Sequence, residues 1–120
     1  NIRDAKKNGT PLRFATREFR GITWIDDVVK NIPYTFDLPA GIYNFGAENH
    51  LNTYETAVEY AKILQCNPEE IAIPDTERFP EHIRNISISM EKAKIASKGK
   101  IQFRNTLENL REFHKANKVD

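Results

Sequence analysis

Gly41-Ile-Tyr-Asn-Phe-Gly46, followed closely by Asn52-Thr-Tyr-Glu55, is the stretch whose reading decides the fold class. The first six residues are short, aromatic-rich and framed by glycines, which reads as a buried strand. In the second segment Asn52 is a helix cap, and Glu55 stands three positions on, where its side chain can reach back to the cap's N–H. Tyr54, Ala57, Val58, Ala61 and Leu64 then recur at helical spacing, predicting a helix to about Gln65. Upstream, Asp26 or Asp27 can cap another helix and complement its positive end. Ile25, Val28, Val29 and Ile32 lie along one face of that helix, and Pro33 is expected to end it. Helix, strand, helix from Asp26 to Leu64 is the rhythm of an α/β domain with parallel strands.

Working outward, Ile2 to Asn8 reads as the end of a helix stopped by Gly9. Leu12 to Ala15 is expected as a half-buried strand, and Phe19, Gly21 and Thr23 as a second extended piece ending at Trp24. Toward the C-terminus, Asn67-Pro-Glu-Glu70 is a turn, Ile71-Ala-Ile73 a short strand ended by Pro74, and Asp75 to His82 a polar loop. Ile86 and Ile88 alternate with serines, as in a strand with one buried face. Ser89 can cap a helix through about Ser97 that Gly99 closes. Asn105-Thr-Leu-Glu108 repeats the capping arrangement, and Leu107, Leu110 and Phe113 form the stripe of the last helix. The polar tail after Ala116 is expected to fray. The chain opens at Asn1 with a helix already under way, as a processed chain or a piece of a longer protein would.

A chain of 120 residues, 39% hydrophobic and 29% charged, is one domain's worth of an ordinary globular protein. Eighteen basic against 17 acidic residues leave a net charge of +1, without the basic excess of a duplex-binding domain. Cys66 is the one cysteine, so no internal disulfide forms, which fits a reducing, cytoplasmic compartment. No apolar run approaches the ~20 residues that cross a bilayer. His50, His82 and His114 stand far apart without ligand spacing, so no metal site is expected. Gly41 and Gly46 do not make a dinucleotide fingerprint, and neither a Gly-x-Ser-x-Gly elbow nor a Walker loop occurs. The adjacent Asp26 and Asp27 point in different directions on a helix and are poorly placed to share a proton. The segment from Arg17 to Ile32 holds the only tryptophan and a glycine beside an arginine. Its composition suits the lip of a site for a polar, anionic ligand, and equally the joint between an exposed strand and a packed helix.

Three blocks, in order, carry a family resemblance: Gly21-Ile-Thr-Trp-Ile-Asp-Asp-Val-Val29; Gly41-Ile-Tyr-Asn-Phe-Gly46 with the Tyr54–Leu64 helix; and a third running from Arg78-Phe-Pro80 through Asn85-Ile-Ser-Ile-Ser89 to Phe103-Arg-Asn-Thr-Leu-Glu-Asn-Leu110. Together the chain resembles the C-terminal, substrate-binding part of extended short-chain dehydrogenase/reductases, most closely the dTDP-4-dehydrorhamnose reductase type. The resemblance spans nearly all of residues 1–120. Two positions depart from the family pattern: Phe79 separates Arg78 from Pro80, and Phe103 stands where tryptophan is common.

The resemblance implies an α/β fold of NAD(P)-binding, Rossmann-like type. It also implies a parent oxidoreductase that reduces the 4-keto group of a dTDP-linked 6-deoxyhexose with NADPH or NADH, in dTDP-rhamnose biosynthesis. The family's glycine-rich cofactor loop and Tyr-x-x-x-Lys pair precede the matched region. None of Tyr34, Tyr43, Tyr54 and Tyr60 has lysine four positions later. The chain alone is therefore expected to hold no catalytic residue and no cofactor-binding residue, and to be inactive without its Rossmann domain. Arg20 and Arg78 are the expected contacts for the diphosphate, since a guanidinium fork suits phosphate oxygens. Thr23 and Trp24 are the expected contacts for sugar or base. The partners implied are the nucleotide-sugar substrate and the Rossmann domain, with self-association through an uncovered strand edge. Two other readings fit the same blocks: another extended-family sugar-nucleotide epimerase or dehydratase, and a non-catalytic regulatory subunit of the same fold. An unrelated α/β domain is the remaining one.

Overall fold

The structure, a computed structural model, describes residues 2–116. In chain order the elements are α1 (Ile2–Asn8), β1 (Leu12–Ala15), β2 (Glu18–Phe19), α2 (Ile25–Thr35), α3 (Thr53–Ile63), α4 (Pro68–Ile71), β3 (Ala72–Asp75), β4 (Arg84–Asn85), α5 (Glu91–Ala96) and α6 (Thr106–Ala116). It is a mixed α/β arrangement with two small parallel sheets. β1 pairs with β3, Leu12 opposite Ala72 through Ala15 opposite Asp75. β2 pairs with β4, Glu18 opposite Arg84 and Phe19 opposite Asn85. The expected polar tail lies outside the described residues.

Local chemistry sets the helix ends. Asn52 accepts a hydrogen bond from the Glu55 N–H at 2.7 Å, while Glu55 Oε1 accepts from the Asn52 N–H at 3.1 Å. This completes the expected capping box at the start of α3. Gly9 (φ +67°) and Gly99 (φ +80°) end α1 and close the turn after α5. Their N–H groups donate to Ala5 O and Lys94 O, each at 2.8 Å. Side chains with a Cβ rarely adopt that backbone shape. Asn105 Oδ1 accepts from the Glu108 N–H at 2.9 Å and starts α6.

Burial gathers in two small clusters. Ala61 of α3 packs with Ala5 of α1 and Ile71 of α4, joined by Ile2, Leu12 and Cys66. Met90, Ala93 and Ile101 form the second, joined by Leu38, Tyr43, Phe45, Ile88 and Phe103. Phe45 meets Phe103 edge-on at 4.7 Å between ring centroids, a favourable aromatic geometry. The Cα atoms span 50 × 39 × 15 Å with a radius of gyration of 16.5 Å, above the roughly 13–14 Å of a compact domain of this length. The molecule is a thin slab.

Several expectations are corrected. Residues 41–46 form no strand, and Ile42 is 89% exposed. Side chains take the hydrogen bonds a neighbouring strand would have taken: Gly46 N–H donates to Met90 Sδ at 3.4 Å, and Ala47 N–H to Thr23 Oγ1 at 2.9 Å. The segment after Phe19 is likewise irregular rather than extended strand up to Trp24. Pro33 lies inside α2 and does not end it. The residue whose carbonyl loses a donor there, Val29, is exposed, so water can take its place. Neither Asp26 nor Asp27 caps α2; Trp24 holds the cap position, with no side-chain hydrogen bond to the helix end. The apolar face of α2 is turned outward, with Ile25, Val29 and Ile32 exposed. The turn expected at Asn67-Pro-Glu-Glu70 is a single helical turn, α4, with Asn67 as its cap; β3 runs through Pro74, and α3 ends at Ile63. The strand expected around Ile86 and Ile88 is confined to Arg84–Asn85, leaving Ile86 exposed.

Asn52→Ala removes half of the capping box. It is expected to lower stability by about 1 kcal/mol, read as a shift of the urea midpoint at unchanged slope.

Candidate functional site

The three blocks quoted above meet at Gly21. A Cβ on Gly21 would lie 2.6 Å from Ala47 O, so only glycine lets these two backbones pass. At Gly46 the neighbour is a side chain: a Cβ there would come within 2.8 Å of Thr23 Oγ1, which would have to shift. Side chains of α6 then stitch the strands of chain together. Ile22 N–H donates to Thr106 Oγ1 at 2.9 Å, and Asn109 Nδ2 donates to Ile22 O at 2.8 Å. Thr106 N–H donates to Glu48 O at 3.1 Å. Asn49 Nδ2 donates to Arg20 O at 2.9 Å. Thr106 and Asn109 are wholly buried, and burying such groups is tolerable because backbone partners receive them. Asn109 Oδ1 is left without a partner.

Beside this seam α2 turns Asp27 inward. Arg104 grips its carboxylate through Nη2 at 2.9 Å and Nε at 3.2 Å, and the Arg104 backbone N–H adds a bond at 3.2 Å. One turn on, Asn31 donates to Gln102 O at 2.8 Å and accepts from the Gln102 N–H at 2.9 Å. Burial works to raise the Asp27 pKa. The Arg104 fork, its backbone N–H and its charge outweigh that and hold the carboxyl below its ordinary 3.8. Lys94 Nζ, 2.8 Å from Glu48 Oε1, likewise holds the Glu48 carboxyl below its ordinary value against opposing burial.

On the other side of the seam a cleft of about 570 Å³ opens between β1, the Glu18–Ile22 segment, α3 and α6. This lies within the range of small-molecule sites. Phe14, Ile22, Tyr60 and Leu110 give it apolar walls, and Glu18, Arg20 and Thr53 supply polar groups. Glu18 is buried, accepting from Thr53 Oγ1 at 2.8 Å and facing Arg84 Nε at 3.6 Å. The Arg20 guanidinium has no partner among the described residues, which leaves a fork available to an anion at the edge of an apolar cleft.

The four residues expected to bind substrate do not share one pocket. Arg20 lines the cleft; Thr23, Trp24 and Arg78 are not part of its wall. Thr23 is engaged with Ala47. Trp24 donates from Nε1 to Asp26 at 2.9 Å and meets Phe113 edge-on at 6.1 Å. Arg78 lies on the exposed loop after β3, its guanidinium 5.5 Å from the Phe79 ring. Phe79 has a φ of +58°, a conformation rare for a bulky side chain. Among the described residues no group of three His, Cys, Asp or Glu side chains is placed to hold a metal ion, and no helix is long and apolar enough to cross a membrane. Sequence reasoning missed Glu18, Asp27 with Arg104, Thr106 and Asn109. The one local signal was polar Asp27 and Asn31 four apart on a helix, opposite the apolar stripe. No family model, curated protein or solved structure matches the chain.

Since the folded Asp27 carboxyl titrates below its unfolded value, its contribution is present above about pH 4 and is lost as pH falls through the folded-state pKa. Asp27→Asn leaves Arg104 facing a neutral amide. It is expected to cost roughly 1–3 kcal/mol at pH 7 and to flatten the acid limb of stability measured against pH in urea.

Proposed function

We propose that the chain is the substrate-binding part of an extended short-chain dehydrogenase/reductase that reduces a 4-keto sugar nucleotide of the dTDP-6-deoxyhexose type. The observation that carries this reading is the meeting of the three blocks behind the resemblance. Gly21–Thr23, Gly46–Ala47 and Arg104–Asn109 are far apart in sequence, yet they interlock through hydrogen bonds and through the close backbone passage at Gly21. That segments quoted for the resemblance also form one structural unit supports this reading.

In this reading the hydride comes from NADPH or NADH held on a separate Rossmann domain, which also supplies the tyrosine and lysine that handle the proton. This chain binds and orients the substrate. Arg20 offers its fork to the diphosphate from the mouth of the cleft, with Arg78 as a second cation on the neighbouring loop. Phe14 and Tyr60 offer aromatic surface to a base, and Thr23 and Trp24 are proposed contacts for the sugar or base. A buried Glu18 held by Thr53 suits acceptance from a sugar hydroxyl. In this reading the compartment is cytoplasmic.

The test is calorimetric titration of the chain with dTDP, followed by NADPH oxidation with a dTDP-4-keto-6-deoxyhexose after a reductase cofactor domain is added. Arg20→Ala is expected to weaken dTDP binding about 10- to 100-fold, the loss of one charge-assisted contact. Absence of dTDP binding at millimolar concentration, with the cofactor domain present and no NADPH oxidised, would overturn the reading.

A further inference from the structure

We propose that Asn8–Gly9 is a self-modification site, at which the Gly9 nitrogen closes on the Asn8 side chain and the end of α1 sets how often it can. Asn8 is the one asparagine in the chain that is followed by glycine. Glycine carries no Cβ to hinder attack by its own nitrogen, and the surroundings add no obstacle. Asn8, Gly9 and Thr10 are exposed, and a Cβ built on Gly9 would meet nothing within 4 Å.

In the reaction a bond forms between the Gly9 nitrogen and Asn8 Cγ, and the Asn8 Cγ–Nδ2 bond breaks. The Gly9 amide proton leaves with the side-chain nitrogen as ammonia, and water then opens the cyclic imide to aspartate or isoaspartate. No oxidant or reductant enters. The folded backbone opposes the first event. The Gly9 N–H donates to Ala5 O at 2.8 Å, which holds its proton in place, and the φ of +67° is the fixed stop of α1. The reacting nitrogen is released only when that bond opens.

α1 is a weak clamp. Its seven residues are too few for a helix that stands by itself, and Ala5 is the one it buries. Arg3 Nε donates to Tyr60 Oη at 3.1 Å and Lys6 Nζ to Leu64 O at 2.9 Å, tethering it to α3 and the residue after it. Helix ends of this kind open locally at small cost, so imide formation follows the opening of α1 rather than global unfolding. The product then acts on the same helix. Either acid adds a negative charge at the helix C-terminus, where the dipole disfavours it. Isoaspartate also lengthens the main chain by one carbon, which takes the Gly9 N–H out of register with Ala5 O. Ile2, on the same helix, is part of the cleft wall, so a loosened α1 opens that wall.

The test incubates the 120-residue chain in warm, mildly alkaline buffer, folded and in urea beyond its unfolding midpoint. Peptide mapping by mass spectrometry and labelling with an isoaspartyl methyltransferase read the site and the product. Asn8 is expected to convert before any other asparagine, and about tenfold faster in the unfolded chain than in the folded one. Lys6→Ala, which cuts a tether without touching the reacting atoms, is expected to raise the folded rate about threefold and leave the unfolded rate unchanged. Asn8→Gln is expected to abolish the signal at this position. In the isoaspartate form, separated by ion exchange, hydrogen exchange at residues 5–9 is expected to quicken about tenfold or more. Equal folded and unfolded rates, a folded rate that ignores Lys6→Ala, or earlier conversion of another asparagine overturns the proposal. So does a folded chain that stays unmodified after the unfolded chain has fully converted, or an isoaspartate form whose exchange is unchanged.

Discussion

The burial of one carboxylate decides how this molecule is put together. Asp27 is nearly inaccessible to water, and an ion in that position is tolerated only when it is paired and fully hydrogen-bonded. Arg104, 77 positions later, supplies both conditions with its fork and its backbone N–H. That pairing fixes the rotation of α2, brings the segment before α6 against it, and sends the helix's apolar stripe outward. The polar seam follows. Once Arg104 is held, Thr106 and Asn109 stand where they receive the backbone of Ile22, and Ile22 sits one residue from the passage that Gly21 keeps open.

A seam of this kind does different work from a hydrophobic core. The two apolar clusters are small, each centred on three buried residues, and between them the chain is positioned by directed hydrogen bonds. Directed bonds add little net stability apiece, but leaving one unmade is costly. They favour one arrangement over its near neighbours. The result is a thin body with a well-defined seam and uncovered apolar surface on α2. The cleft holding Arg20 lies on the α3 side of the seam. Arg20 and Ile22, whose backbones are held in the seam by Asn49 and Asn109, also form the cleft wall.

The features legible in the sequence were those whose partners lie within one helical turn. The Asn52–Glu55 box, the Asn105 cap and the glycine stops at Gly9 and Gly99 are three- to five-residue motifs, and each stands where its spacing places it. The misreadings share one cause. The strand expected over Gly41–Gly46, the aspartate cap of α2 and the inward apolar face of that helix all assumed that a local pattern finds its usual partner. Here Thr23 and Met90 satisfied the first backbone, and Arg104 captured Asp27 before it could serve as a cap. Of the candidate site, the Arg20 position was legible as a cation beside a glycine; the cleft around it was not, because its walls come from elements distant in sequence.

By itself, then, the sequence determined the helix boundaries that local hydrogen bonding sets and the mixed α/β character. Tertiary structure alone decided which face of α2 is buried, that residues 41–46 run without a ladder, and that Arg20 rather than Trp24 borders a cleft. The physical reason is range. A capping bond spans three residues and is written in their spacing, whereas a carboxylate that finds its arginine 77 residues away leaves no periodic trace.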